Sequence, residues 1–305
     1  MRRLPVYIFV FTLIIAATGC DVKQNQPGQS LHGKHGEKHN YERFISLSPS
    51  TTEILFALGL GDRIVGVTRF CNYPPEAREK VNVGGYFDPN NEVIAALEPD
   101  LVLVLPGHDK VRDHLNELKL HYVTIRNERV SDILEAIIII GDTCEVRDKA
   151  KELVVNIRNT MDDIRKKTEG YPRPKVLISI NRAMGTGTLH EVYIAGRDTY
   201  YDELINLAGG VNVYEGNAVE YPVLSAEGIL HLNPDIIIDL VPESDNDKIN
   251  EVMIVKEWES LSHINAVKNR RVYILHGDYV VIPGPRFIKL LADLARVIHP
   301  EIKWD

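Results

Sequence analysis

The sequence predicts an α/β protein of two similar lobes, each with a mostly parallel sheet, joined by one long rigid helix with a ligand cleft between them. Three observations predict it. A segment occurs twice, apolar runs alternate with helical patterns, and a long amphipathic stretch separates the two halves. The repeated segment is EVIAALEPDLVLV, from Glu92 to Val104, which returns as EGILHLNPDIIID, from Glu227 to Asp239. Each copy passes from helical spacing (Ile94 and Leu97; Ile229 and Leu232) through Pro-Asp into a continuous apolar run of buried-strand type. A tyrosine stands six positions before each glutamate, at Tyr86 and Tyr221. EILFALG from Glu53 and ELINLAG from Glu203 form a second, looser pair. A duplicated α/β domain accounts for both.

Taken in order, residues 1–19 read as a lipoprotein signal peptide. Arg2 and Arg3 precede an apolar run that is short for a membrane span, and Ala17, Thr18 and Gly19 before Cys20 resemble the bacterial lipobox, which implies cleavage and lipidation at Cys20, the alternative being an uncleaved anchor. Residues 20–40 are polar and loop-like, a tether between a lipid anchor and a folded body. They hold His32, His35 and His39, and a near-match to a phosphate loop (GQSLHGKH) that lacks both the final Ser or Thr and a preceding strand. Residues 41–144 form the N-terminal lobe, with strands at Phe44 to Leu47, Ile64 to Val67, Leu101 to Leu105 and His121 to Ile125 alternating with helices such as Thr51 to Leu58 and Ser131 to Gly141. Residues 145–170 carry the bridging helix. Ala150, Leu153, Val154, Ile157, Met161 and Ile164 form its apolar stripe, Arg165, Lys166 and Lys167 suit its C-terminal end, and Gly170 and Pro172 stop it. Residues 171–305 form the C-terminal lobe, with strands at Val176 to Ile180, Ile236 to Leu240 and Arg271 to Leu275, and a last amphipathic helix from Arg286 to Ile298.

A chain of 305 residues with 44% hydrophobic and 26% charged residues is ordinary for a globular protein and long enough for two cores. Its net charge of -8 argues against nucleic acid as a partner. With Cys20 lipidated, Cys71 and Cys144 remain, and whether they form a disulfide stays open. No nucleophile elbow, HExxH helix or dinucleotide glycine fingerprint is present, so no enzyme is expected.

Four blocks carry a family resemblance: RFISLSPSTTEILFALGLGDRIVGVT, YPPEAREKVNVGGYFDPNNEVIAALEPDLVLV, SAEGILHLNPDIIID and GPRFIKLLADLARVIHPE. In this order they resemble the periplasmic substrate-binding proteins of iron-siderophore, haem and cobalamin ABC importers, the class with a helical backbone between the lobes. The resemblance covers about Tyr41 to Glu301. It implies a lipid-anchored monomer in the periplasm or on the outer face of the cytoplasmic membrane. Such a protein has no cofactor or metal of its own, carries a small-molecule metal complex, and delivers it to a dimeric permease.

Open α/β sheets place ligands at the C-terminal ends of their strands. The loops there carry Ser48, Arg69, Tyr73, Tyr86, Phe87 and His108 in the first lobe, and Asn181, Arg182, Arg197, Tyr221, Tyr279 and Arg286 in the second. Tyr86 and Tyr221 are expected to face each other and cover an apolar macrocycle, the alternative being that each packs only on its own helix. Tryptophans stand at similar positions in cobalamin-binding relatives. The arginines suit the anionic oxygens of a ferric siderophore, or else surface ion pairs. Haem, with Tyr86 on the iron, is a further candidate ligand. So is zinc or manganese, held by His108, His190, His231 and His276. The resemblance also implies that Glu92 and Glu227 dock the permease, whereas the helix dipole alone explains an acid at either helix start.

Overall fold

The computed structural model describes residues 40–242 and 251–304. The signal peptide, Cys20 and nearly all of the tether, including its three histidines, lie outside the described residues. The first lobe runs β1 (Phe44–Ser46), α1 (Pro49–Ala57), β2 (Ile64–Val67), β3 (Val81–Asn82), α2 (Asn91–Ala96), β4 (Leu101–Val104), α3 (Asp109–Glu117), β5 (Tyr122–Thr124) and α4 (Val130–Thr143). The bridging helix is α5 (Arg147–Thr168). The second lobe runs β6 (Lys175–Arg182), β7 (Val192–Ile194), α6 (Tyr200–Leu207), β8 (Val211–Asn212), β9 (Val223–Leu224), α7 (Ala226–Leu232), β10 (Ile236–Val241), α8 (Glu251–Glu259), α9 (Asn265–Lys268), β11 (Val272–His276) and α10 (Phe287–Ile298).

The first sheet is parallel throughout, in the order β3-β2-β1-β4-β5. The second has the order β11-β10-β6-β7-β9, with β8 also paired to β6. Its β11, β10, β6 and β8 are parallel, so β1, α1, β2, α2, β4 and β5 find counterparts in β6, α6, β8, α7, β10 and β11. The antiparallel strand β7 has no counterpart and was not foreseen. It returns along β6 after a turn in which Gly185 and Gly187 take positive φ, a conformation that glycine adopts without steric cost.

Helix α5 has 22 residues, about 33 Å at 1.5 Å per residue. Its predicted stripe faces inward: Ala150, Val154, Ile157 and Ile164 are buried, and Leu153 and Met161 pack against the core. Gly141 on α4 admits Ala150, because a Cβ at Gly141 would overlap the alanine methyl. One apolar cluster runs from Phe44 through Ile157 to Leu294, so both lobes lean on the same helix. Cys71 and Cys144 are buried free thiols rather than a disulfide, and burial pushes the Cys144 thiol up to about 12.

Candidate ligand-binding cleft

On the first lobe, the loop between β3 and α2 holds the main feature. Gly84 has φ +104, and a Cβ there would lie 2.8 Å from the Asp88 carbonyl; one on Gly85 would overlap the Asp88 carboxylate and the Arg69 guanidinium. The two glycines therefore let the chain fold tightly, with Asn90 N–H donating to the Val83 carbonyl at 2.7 Å. The tip presents Tyr86 and Phe87 in edge contact, ring centres 4.6 Å apart, with Phe87 86% exposed. Burial pushes the half-buried Tyr86 phenol up. Arg69 donates to both oxygens of Asp88 at 3.1 and 3.2 Å and lies 5.3 Å from the exposed ring of Phe70. Sequence reasoning missed Phe70, although an aromatic three residues beyond a recognised strand was a usable signal.

His108 was expected in the cleft lining, but it is buried behind Tyr86, ring centres 4.8 Å apart. Its Nδ1 accepts the Leu105 N–H at 3.1 Å, and burial, followed by the charge of Arg112, lowers its pKa. It packs against the tyrosine, and its Nε2 is buried without a hydrogen-bond partner among the described residues. Ser48 is also corrected. It caps α1 by accepting the Thr51 N–H and is enclosed in a hydroxyl cluster with Ser50 and Thr51.

On the second lobe, Tyr221 is 38% exposed. Burial raises its phenol pKa first, with further contributions from the charges of Glu220 and of Glu128 on the first lobe. Gly196 permits this placement: its N–H donates to the Glu220 carbonyl at 2.8 Å, and any Cβ would meet the Val219 carbonyl at the same distance. Tyr200 and Tyr201 are buried in edge contact, ring centres 5.0 Å apart, and the Tyr200 hydroxyl has no hydrogen-bond partner among the described residues. Arg197 and Asn181 are exposed and make no side-chain hydrogen bond or ion pair among the described residues.

Three predicted residues of this lobe are otherwise engaged. The Arg182 side chain is 1% exposed, 2.8 Å from Asp239 and 2.6 Å from Glu257, with Trp258 donating to the same Asp239 oxygen. It is locked inside the lobe and offers nothing to a ligand. Tyr279 is buried with its hydroxyl donating to Asp293 at 2.8 Å and Lys289 over its ring. Arg286 ties the lobes together. It donates to both oxygens of Glu53 on α1 at 2.6 and 3.0 Å and to Asp278 at 2.8 Å, and it stacks 3.7 Å from the ring of Tyr73. Tyr73, 43% exposed, lines two surface cavities beside this ion triad. His190, His231 and His276 do not assemble with His108, and no cluster of metal-ligating side chains occurs among the described residues.

Glu92 and Glu227 are exposed in the first turns of α2 and α7, behind the capping side chains of Asn90 and Ser225. A cavity of about 830 Å³ opens beside Glu227, lined also by Asn181, His190 and Tyr193.

The sequence profile of the periplasmic binding proteins matches residues 45–279. The chain belongs to this family. Periplasmic binding proteins are transport components rather than enzymes, and those of ABC transporters work with membrane permeases. The chain is 32% identical over 272 residues to an uncharacterized ABC transporter substrate-binding lipoprotein of Bacillus subtilis, covering 87% of this chain and 82% of that one. It is 28% identical over 251 residues to a vitamin B12-binding protein of Vibrio cholerae, covering 80% and 84%. A crystal structure of a possible iron-binding periplasmic solute-binding protein from Staphylococcus epidermidis superposes with a TM-score of 0.71 at 27% identity, over 86% of this chain and all of that one. Family membership and these relatives place the protein outside the cytoplasm, and no helix among the described residues is long and apolar enough to cross a membrane.

Proposed function

We propose that this periplasmic binding protein is a monomeric, lipid-anchored receptor that captures a cobalamin-type corrinoid between its lobes and delivers it to a dimeric ABC importer. The observation that carries the reading is the aromatic ledge of Tyr86 and Phe87, raised on the glycine turn, with the partly exposed Tyr221 at the corresponding place of the second lobe. Flat aromatic faces suit a large, partly apolar macrocycle, and their hydroxyls remain for its amide groups. The Vibrio cholerae relative, described as vitamin B12-binding, supports the same class. Arg182 and Arg286 are committed to internal carboxylates, which weakens the case for an anionic chelate. Arg69 and Arg197 keep a ferric siderophore as the second candidate, because both guanidinium groups are exposed.

Anchoring rests on Cys20 behind its small-residue run and on the lipoprotein description of the Bacillus relative. Glu92 and Glu227, exposed at corresponding helix starts of the two lobes, are the proposed contacts to the two permease copies. Calorimetric titration of the purified protein with cyanocobalamin and with a ferric siderophore tests the ligand. Saturable one-to-one binding of cyanocobalamin is expected, and its absence with siderophore binding present would transfer the assignment to the second candidate.

A further inference from the structure

A small cavity of about 220 Å³ sits at the corner of the first lobe, where β2 ends beside the edge strand β3. Three cations reach it, Arg69, Arg78 and Lys80, and no carboxylate lines it. The short turn Pro75–Glu79 produces this separation of charge. Glu76 and Glu79 line a different cavity, beside Arg286, which Lys80 also borders, while Arg78 lines this one and another cavity beside Asp278. Arg78 and Lys80 make no hydrogen bond or ion pair through their side chains among the described residues. Arg69 meets Asp88 through one nitrogen only, so the rest of its fork is unengaged.

Neutral donors complete the lining. The Asn82 side-chain oxygen already accepts the Gly84 N–H at 2.8 Å, which leaves its NH₂ as the available group, and the Asn72 side chain makes no hydrogen bond among the described residues. Like charges around one hollow repel one another weakly in water, and an anion standing between them would turn that repulsion into attraction. Guanidinium and ammonium groups with amide donors form a setting for a phosphate or carboxylate oxygen cluster.

From this geometry we propose that the cavity is an oxyanion-binding subsite, held by Arg69, Arg78 and Lys80. It goes beyond the corrinoid assignment and does not depend on it. The group bound is a phosphate or carboxylate, either free in solution or carried as an arm of the transported molecule. The second source is sterically direct, because Arg69 joins the cavity to the loop that presents Tyr86 and Phe87.

The test is calorimetric titration of the purified protein with inorganic phosphate and with citrate, in chloride buffer without other oxyanions. Saturable one-to-one binding of at least one of them is expected. The double variant Arg78→Ser with Lys80→Ser should bind about ten-fold more weakly or worse, since it loses two charge-assisted contacts. Lys151→Ser, an exposed cation on α5, should bind as the wild type does. Neither Arg78 nor Lys80 supports a buried partner, so the melting temperature of the double variant should be unchanged. Absence of saturable binding with both anions overturns the proposal, and so does equal affinity in the double variant. A competition arm separates the sources. Loss of anion binding on loading with cyanocobalamin assigns the subsite to an arm of the cargo, and simultaneous binding assigns it to a free anion. Failure to bind any corrinoid would refute the cargo assignment while leaving the anion titration readable.

Discussion

Removing either partner of the Glu53–Arg286 tie should have very unequal consequences. Glu53 is buried, and its carboxylate meets the guanidinium through two hydrogen bonds, at 2.6 and 3.0 Å. Burial nevertheless outweighs those bonds and the charge of Arg286, so the Glu53 carboxyl stays above its ordinary value. Desolvation exceeds pairing at this site, as buried ion pairs often show. Glu53→Gln keeps the shape and one hydrogen bond and should cost no more than about 1 kcal/mol. Arg286→Met instead strands Glu53 and Asp278, and loss of one member of a buried pair costs roughly 3–5 kcal/mol. Arg286 is 18% exposed at its side chain and Asp278 is partly solvated, which points to the lower end, about 3 kcal/mol near pH 8.

The pH dependence has a definite sign. A carboxyl whose folded pKa lies above its unfolded value contributes stability that is present at low pH and lost as pH rises through the folded pKa. Arg286→Met raises the Glu53 pKa further, so that loss should become steeper and the variant should approach the wild type as pH falls from about 8 to about 5. Asp278 does not confuse this window. Burial pushes its carboxyl up, but Arg286 outweighs that and holds it below its ordinary value, so its contribution is lost only in more acidic solution. Urea unfolding of both single variants and the double variant across this range is the assay. Equal destabilisation by Glu53→Gln and Arg286→Met near neutrality, or a flat pH response of Arg286→Met, would refute the reasoning.

Tyr86→Ala and Tyr221→Ala should each weaken ligand binding by roughly 1–3 kcal/mol in calorimetry, the range for losing an aromatic anchor, with smaller effects on melting. Gly85→Ala should weaken binding as well, because the new methyl would displace Asp88 and Arg69 and tilt the Tyr86 loop; unchanged affinity would mean the loop does not carry the site. Arg182→Met should destabilise the second lobe by about 3–5 kcal/mol in chemical unfolding, since Asp239 and Glu257 would remain buried and unpaired. Glu92→Arg with Glu227→Arg should abolish transport in liposomes while leaving ligand affinity intact, and full transport by that variant would reduce both acids to helix-start electrostatics.

The elements most legible in the sequence are those determined by local pattern. The spacing of Ala150, Val154 and Ile157 specifies a helix face, and the short, β-branched run from Ile64 to Val67 favours a strand. Strand β7 was missed although Val192, Tyr193 and Ile194 are β-favouring residues, because it is only three residues long and the repeat supplies no counterpart for it in the first lobe. The repeat puts Tyr86 and Tyr221 in corresponding loops before α2 and α7, and the structure has them there, whereas a residue whose environment a distant partner decides was illegible. Arg182 meets its acids 57 and 75 residues away, and Arg286 meets Glu53 at a separation of 233. Nothing near either arginine in the chain distinguishes a buried structural cation from one aimed at a ligand. His108 failed for a related reason: a loop histidine at a strand end is exposed or buried according to what packs over it, here Tyr86.

The inter-lobe contacts also constrain how ligand can be held. Besides α5 and the Glu53–Arg286 tie, Glu203 on α6 accepts the Val130 N–H at the start of α4 at 2.8 Å and pairs with Arg129 at 3.4 Å. These contacts lie on different helices of both lobes, so a wide hinge opening would break several of them at once. A lobe pair held this way cannot draw most of its affinity from closing over the ligand, and the binding surface must already be shaped before the ligand arrives. The glycine turn under Tyr86, the buried imidazole behind it and the Gly196 contact behind Tyr221 are the local structures that would hold the proposed aromatic surface in place. Substitutions in these supports should therefore lower affinity by slowing neither encounter nor closure but by loosening the aromatic faces, which appears as faster ligand dissociation with little change in association rate.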